Sequence, residues 1–244
     1  VPWRVLTSEK KVNTSSAPIS SNRLEKGRPV FSISPFTMLD FPDRTACILW
    51  FAGCNMRCGY CYNPEIVLGK GKLSWDHVRE FLQSRRHLLD GVVFSGGECT
   101  IHPQLIPFVR EVKKMGFEVK IDTNGSRPEV IGQLITEDLL DYVALDFKSL
   151  PEKYWEVTRS DLFLAFEKTL EIMVSSSVPF EVRTTVHSEQ LRTSHLDVMN
   201  TWLRGKGYFG SYYLQPFRGD KQTLDNLGES KKPGLKSRVG VWRN

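Results

Sequence analysis

The 244-residue sequence predicts an α/β fold: an open partial (β/α)6 barrel of the TIM type with mainly parallel strands, with a doubly wound sheet as the alternative. Three observations predict it. From Thr45 onward, short runs rich in β-branched and aromatic residues alternate with stretches of helical periodicity, the pattern of repeated βα units. Six such units fall short of the eight that close a barrel. The chemically unusual residues follow the apolar runs, which places them on one rim at the C-terminal ends of parallel strands.

The expected strands are Ala46 to Phe51, Val92 to Ser95, Glu118 to Asp122, Tyr142 to Asp146, Phe180 to Thr185 and Tyr212 to Leu214. Helices are expected at Trp75 to Leu88, Gln104 to Met115, Glu129 to Leu134, Leu162 to Ser175 and Ser194 to Arg204. Ser74 stands where an N-cap belongs, and Gly116 and Gly205 where helices stop. Residues 1–30, rich in Ser, Lys, Asn and Pro, read as a flexible leader; 31–218 form one domain, and 219–244, rich in Gly, Lys and Ser, a loose tail.

Composition narrows the function classes. Hydrophobic residues make up 40% and charged residues 25%, ordinary for a globular chain. The longest apolar stretch, Ala46 to Ala52, is far below the ~20 residues a membrane span needs. The N-terminal stretch lacks the apolar core of a secretory signal, so a cytoplasmic location is expected. The net charge of +5 is scattered rather than gathered into a basic stripe, which argues against nucleic-acid binding.

Three of the five cysteines, Cys54, Cys58 and Cys61, crowd into eight residues directly after the first expected strand. Gly53 and Gly59 permit a sharp backbone path there. Thiolates at this spacing suit an iron-sulfur cluster, and three ligands leave one iron of a [4Fe-4S] cluster open to a small molecule. The alternative is a zinc module in which Cys99 or a histidine supplies the fourth ligand. Cys47, inside a strand, reads as a small buried hydrophobe.

Cys-x3-Cys-x2-Cys with an aromatic residue, Tyr60, before the last cysteine resembles the radical S-adenosylmethionine superfamily. The resemblance covers about residues 32–218. It implies that the open iron chelates the amino and carboxylate groups of S-adenosylmethionine, and that one electron cleaves the sulfonium to a 5′-deoxyadenosyl radical. It also implies that Gly96, Gly97 and Glu98, in Ser95-Gly96-Gly97-Glu98, receive the methionine amino group; relatives carry Pro where this chain has Cys99. Asp122, Thr123 and Asn124 resemble a segment near the cofactor ribose, although the same residues make good turns. Asp146 and Lys148 resemble the Asp-x-Lys of glycyl-radical activating enzymes, in which the lysine pairs with the cofactor carboxylate.

Arg183 occupies a strand position that alternation can point inward, where a buried cation needs an anionic partner. His187 reads equally as a rim contact or a loop histidine, and Gln215 closes the last strand as a contact for adenine or substrate.

Within the superfamily, Thr37 to Arg44 and Cys61 to Glu65 look similar to activating proteins of anaerobic ribonucleoside-triphosphate reductase, with Tyr62 where many relatives have His. The implied partners are that glycyl-radical enzyme, as protein substrate, and a low-potential electron donor such as flavodoxin or ferredoxin. The competing readings are a radical enzyme acting on a small molecule in cofactor or modified-nucleoside biosynthesis, and the zinc module.

Overall fold

The computed structural model describes residues 27–217, 219, 222–230 and 241–242. Its strands are β1 (Val30–Thr37), β2 (Ala46–Phe51), β3 (Gly91–Gly96), β4 (Glu118–Thr123), β5 (Tyr142–Asp146), β6 (Phe180–Val186), β7 (Tyr212–Pro216) and β8 (Val241–Trp242). The helices are α1 (Pro64–Leu68), α2 (Trp75–Arg85), α3 (Leu105–Lys114), α4 (Pro128–Thr136), α5 (Pro151–Thr158), α6 (Phe163–Ser175) and α7 (Thr193–Gly205), with a 3₁₀ turn at Cys99–Ile101.

The strands lie side by side in chain order, β1 to β8. β1 pairs antiparallel with β2, and each later pair is parallel. A doubly wound sheet reverses its strand order at a switch point, and this order never reverses, so that alternative falls. Among the described residues β8 does not return to β1, which leaves the barrel open.

All six expected strands and all five expected helices form, with ends that move by a few residues. The Ser74 hydroxyl accepts from His77 N at 3.2 Å and caps α2. Gly116 sits beyond α3 with φ +92°, but α7 runs through Gly205, and the left-handed residue after it is Gly207 at φ +83°. The two added helices, α1 and α5, are short and both begin on proline, the preferred first helical residue.

β1 is an addition that the alternation of Ser, Phe and Pro concealed. It is an antiparallel edge strand, where Pro35 is tolerated, and its register shifts between Ser34 and Thr37. The expected leader, residues 1–30, lies outside the described residues up to residue 26, and Val30 already belongs to the sheet. Of the expected tail, residues 220–221, 231–240 and 243–244 lie outside them, while 222–230 and β8 are described.

Two apolar layers hold the sheet. β2 to β4 pack on α2, α3 and α4 through Phe51, Trp75, Phe94 and Phe108, with the Trp75 and Phe108 ring centroids 4.3 Å apart. β5 to β7 pack on α5, α6 and α7, where Phe147 stacks on Phe166 at 4.9 Å and Trp202 leans on both. Burying each such ring contributes about 1.5–3 kcal/mol. No helix among the described residues is long and apolar enough to cross a membrane. Phe108→Ala, which empties the centre of the first layer, is expected to cost about 3–5 kcal/mol, read from the shift of a denaturant unfolding midpoint.

Candidate radical site

The loop after β2 is fastened along its length. Gly53 turns it at φ +83°, and its N–H donates to Ile66 O at 2.9 Å. Arg57 N donates to Thr158 O at 2.8 Å, and the Arg57 guanidinium donates to the carbonyls of Cys54 and Met56. From the C-terminal segment, Asp225 N and Leu224 N donate to the carbonyls of Gly59 and Cys61, each at 3.1 Å. A Cβ on Gly59 would fall 2.4 Å from an Asp225 carboxylate oxygen, so a side chain here would make the Asp225 carboxylate move.

Cys54, Cys58 and Cys61 all line one cavity of about 280 Å³ at the C-terminal ends of the strands. The Cys54 sulfur accepts from Met56 N at 3.4 Å and from Asn124 Nδ2 at 3.8 Å. Burial pushes the Cys54 thiol up to about 12 and raises that of Cys58 as well. A soft metal that takes these sulfurs as thiolates therefore displaces protons.

The opposite wall begins at the end of β3. Gly96 adopts φ +113°, and a Cβ on Gly97 would lie 1.8 Å from Gly53 O. Backbone thus packs directly on backbone, with Gly97 N donating to Phe51 O and Glu98 N to Gly53 O.

Gly96 and Gly97 line the cavity, but Glu98 does not. Its carboxylate is 1% exposed at the residue level and accepts from Thr100 N, Thr100 Oγ1, Thr123 Oγ1 and Asn124 N. Burial outweighs these four donors and holds the Glu98 carboxyl above the usual carboxylate range. The carboxylate expected to meet a ligand ammonium ties the end of β3 to the end of β4 in this structure.

Asp122, Thr123, Asn124, Asp146, Lys148, Arg183 and Tyr60 all line the cavity, as their sequence pattern predicts. Arg183 bridges two carboxylates, Asp146 at 3.0 Å and Asp122 at 3.6 Å. Lys148 pairs with Asp146 at 3.1 Å, and Lys120 with Asp122. Burial pushes both carboxyls up, but Arg183 and the lysines override it and hold both below the usual range. Burial lowers Lys148, yet Asp146, Tyr60 and Cys58 leave it well above its ordinary value.

Gln215 also reaches the cavity. His187 does not: it is fully buried, its Nε2 lies 3.2 Å from Gly228 O, and its ring meets Phe217 edge-on. Asp40, Trp50, Tyr62, Asn63, Ser95 and Thr185 line the cavity and were not singled out as site residues. Ser95 and Thr185 carried a signal, since each stands at or near the end of a strand on the shared rim.

The donor set fits a cluster held by three sulfurs. The fourth ligands that a zinc site would recruit are engaged elsewhere: Cys99 is fully buried against Phe94 O and Asp122 O, and His102 is bonded to Ala52 O. Among the described residues no three His, Cys, Asp or Glu side chains gather as they would around a single metal ion. Both signs of charge, Asp122 and Asp146 beside Lys148 and Arg183, suit the ammonium and carboxylate of a zwitterionic amino acid. The Tyr60 hydroxyl is buried in this wall beside Cys58.

Residues 48–194 match the Radical SAM superfamily, and the chain belongs to it. It is a radical enzyme whose cofactors are those of the superfamily, a [4Fe-4S] cluster and S-adenosylmethionine. A Methanocaldococcus jannaschii protein named for glycyl-radical enzyme activation is 35% identical over 163 residues, 64% of this chain and 67% of that protein. The pyruvate formate-lyase 1-activating enzyme of Escherichia coli K12 is 29% identical over 220 residues, 80% of this chain and 87% of that one.

Two solved structures share the fold. S-adenosylmethionine-bound anSMEcpe has TM-score 0.58 at 19% identity, covering 68% of this chain and 49% of that one. Streptococcus suis SuiB bound to S-adenosylmethionine has TM-score 0.58 at 10% identity, covering 72% and 41%. The chain thus spans less than half the length of these two structures.

Asp146→Asn strands Lys148 and Arg183 without their shared carboxylate. It is expected to cost the ligand-free protein about 2–3 kcal/mol, less than the ~3–5 of a fully buried pair because the Asp146 side chain is 25% exposed. The carboxyls of Asp122 and Asp146 are lowered by folding, so their contribution is complete above the unfolded value of ~3.9 and is lost as pH falls through the lower native values. Thermal melts between neutral pH and pH ~2.5 are expected to steepen below ~4, less so in Asp146→Asn.

Proposed function

We propose that this enzyme generates a glycyl radical on a partner protein, and that the partner is an anaerobic ribonucleoside-triphosphate reductase. One observation carries the reading: three sulfurs and a two-sign charge cluster share one cavity of about 280 Å³. That volume sits near the lower limit of small-molecule pockets, so a cofactor the size of a nucleoside leaves little room for a second small molecule. The substrate then approaches from outside, as a loop of another protein does. The names of the M. jannaschii and E. coli relatives support activation of a glycyl-radical enzyme. The reductase is supported by the segment Thr37 to Arg44, whose Asp40 reaches the cavity.

When bound, the cluster would supply the electron for reductive cleavage of S-adenosylmethionine, and the cofactor would supply the radical that takes a hydrogen from the partner's glycine Cα. In this reading Cys54, Cys58 and Cys61 hold the cluster. Lys148 and Arg183 orient the cofactor carboxylate, and Asp122 and Asp146 keep both cations fixed. Gly96 and Gly97 admit the methionine end against backbone, while Thr123 and Asn124 face the ribose. Apolar Met56, Val67 and Leu224 help exclude water from the wall. A low-potential donor such as flavodoxin or ferredoxin delivers the electron.

Cys58→Ala is expected to retain less than a tenth of the wild-type iron and sulfide after anaerobic reconstitution and to release no 5′-deoxyadenosine, measured by metal analysis and chromatography. Mixing the reduced holoenzyme with S-adenosylmethionine and anaerobic ribonucleoside-triphosphate reductase is expected to produce a glycyl doublet by electron paramagnetic resonance. A doublet obtained only with pyruvate formate-lyase would reassign the partner. Cofactor cleavage with no doublet on either protein would return the small-molecule reading.

A further inference from the structure

Lys120 of β4 is a cation sunk beneath the site. It is 1% exposed, and its neighbours across the sheet are Val93 of β3 and Tyr142 of β5, both of the apolar group around Phe41 and Ile48. It stands two residues before Asp122, on the same face of β4 and one level further from the rim. From there its ammonium reaches Asp122 Oδ1. Asp122 lines the cavity, whereas Lys120 does not.

The Asp122 carboxylate is thereby divided. Oδ1 goes to Lys120, while Oδ2 accepts from Ser95 Oγ at 2.9 Å and faces Arg183 Nη1 at 3.6 Å. Arg183 holds Asp146 more closely, with Nε and Nη2 both 3.0 Å from its Oδ1. The other oxygen of Asp146 takes Lys148 at 3.1 Å. The two cations of the cavity wall therefore meet two carboxylates, and one of these is already neutralised from beneath. Stability does not call for a lysine at this position, since apolar side chains replace a buried ion pair at little cost or with a gain.

We propose that Lys120 is a positioning residue for the carboxylate of bound S-adenosylmethionine: by neutralising Asp122 it keeps Arg183 on Asp146 and leaves the positive charge of Arg183 and Lys148 for the ligand. The inference rests on the reading, made for the proposed function, that these two cations orient that carboxylate. Without Lys120, Asp122 would offer both oxygens to Arg183 in the two-bond geometry that a guanidinium prefers. An uncompensated negative charge would then also face that of the ligand.

The test measures binding of S-adenosylmethionine and of its decarboxylated analogue to the unreduced, anaerobically reconstituted holoenzyme by equilibrium dialysis, so that no turnover intervenes. Wild type is expected to prefer S-adenosylmethionine by at least about tenfold, the worth of one charge-assisted contact. In Lys120→Met carrying wild-type iron and sulfide, the Kd for S-adenosylmethionine is expected to rise about tenfold, and that for the analogue to stay within about twofold. Lys120→Gln, which keeps a donor but not the charge, is expected to match it, and takes its place should Lys120→Met fail to load.

An unchanged Kd for S-adenosylmethionine, or an equal loss for both ligands, would overturn the Lys120 assignment alone. Failure of both variants to take up iron and sulfide would do the same, by placing Lys120 in the service of the fold rather than of the ligand. A wild type that binds the two ligands equally would overturn it together with the reading of Arg183 and Lys148.

Discussion

The site depends on a closed circuit of contacts between two strand ends and the cysteine loop. Glu98 N donates to Gly53 O, the Glu98 carboxylate accepts from Asn124 N, and Asn124 Nδ2 reaches back to the Cys54 sulfur. The circuit closes only because Gly97 carries no side chain where Gly53 O lies. The buried Glu98 carboxylate accepts four hydrogen bonds shared between its two oxygens, so the joint between β3 and β4 is held in place beside Cys54. Glu98 thus shapes the site by joining the ends of β3 and β4.

A second constraint is electrostatic. Arg183, Lys148, Asp146 and Asp122 come from three different strands and neutralise one another in a wall nearly closed to solvent. Charges so placed are affordable only in pairs, and pairing also fixes the long side chains before any ligand arrives. The ligand-free protein therefore holds both signs of charge in place, and binding need not order them first.

The C-terminal segment takes part in this arrangement. Residues 222–230 lay main-chain donors on the cysteine loop, and Leu224 enters the cavity wall. Gly228 O and Ser230 Oγ meet His187 and Ser188, beyond the end of β6. Composition alone described this stretch as loose, because its partners, Gly59, Cys61, His187 and Ser188, are distant in sequence and leave no local periodicity. β1 escaped notice for a related reason: an edge strand paired on one side carries neither the apolar run of a buried strand nor a clean alternation.

By itself the sequence determined what is local: the six parallel strands and five helices, the cysteine spacing, and the strand-end positions of Asp122, Asp146, Lys148 and Arg183. These follow from hydrophobic period, turn chemistry and the rule that chemistry gathers where parallel strands end. Only the tertiary structure decided which partner each polar group takes. Glu98 turned inward to Thr100, Thr123 and Asn124, His187 to Gly228, and Cys99 away from its three companions. The physical reason is that a buried polar atom binds the nearest complementary group in space, and the packing of distant segments chooses that group.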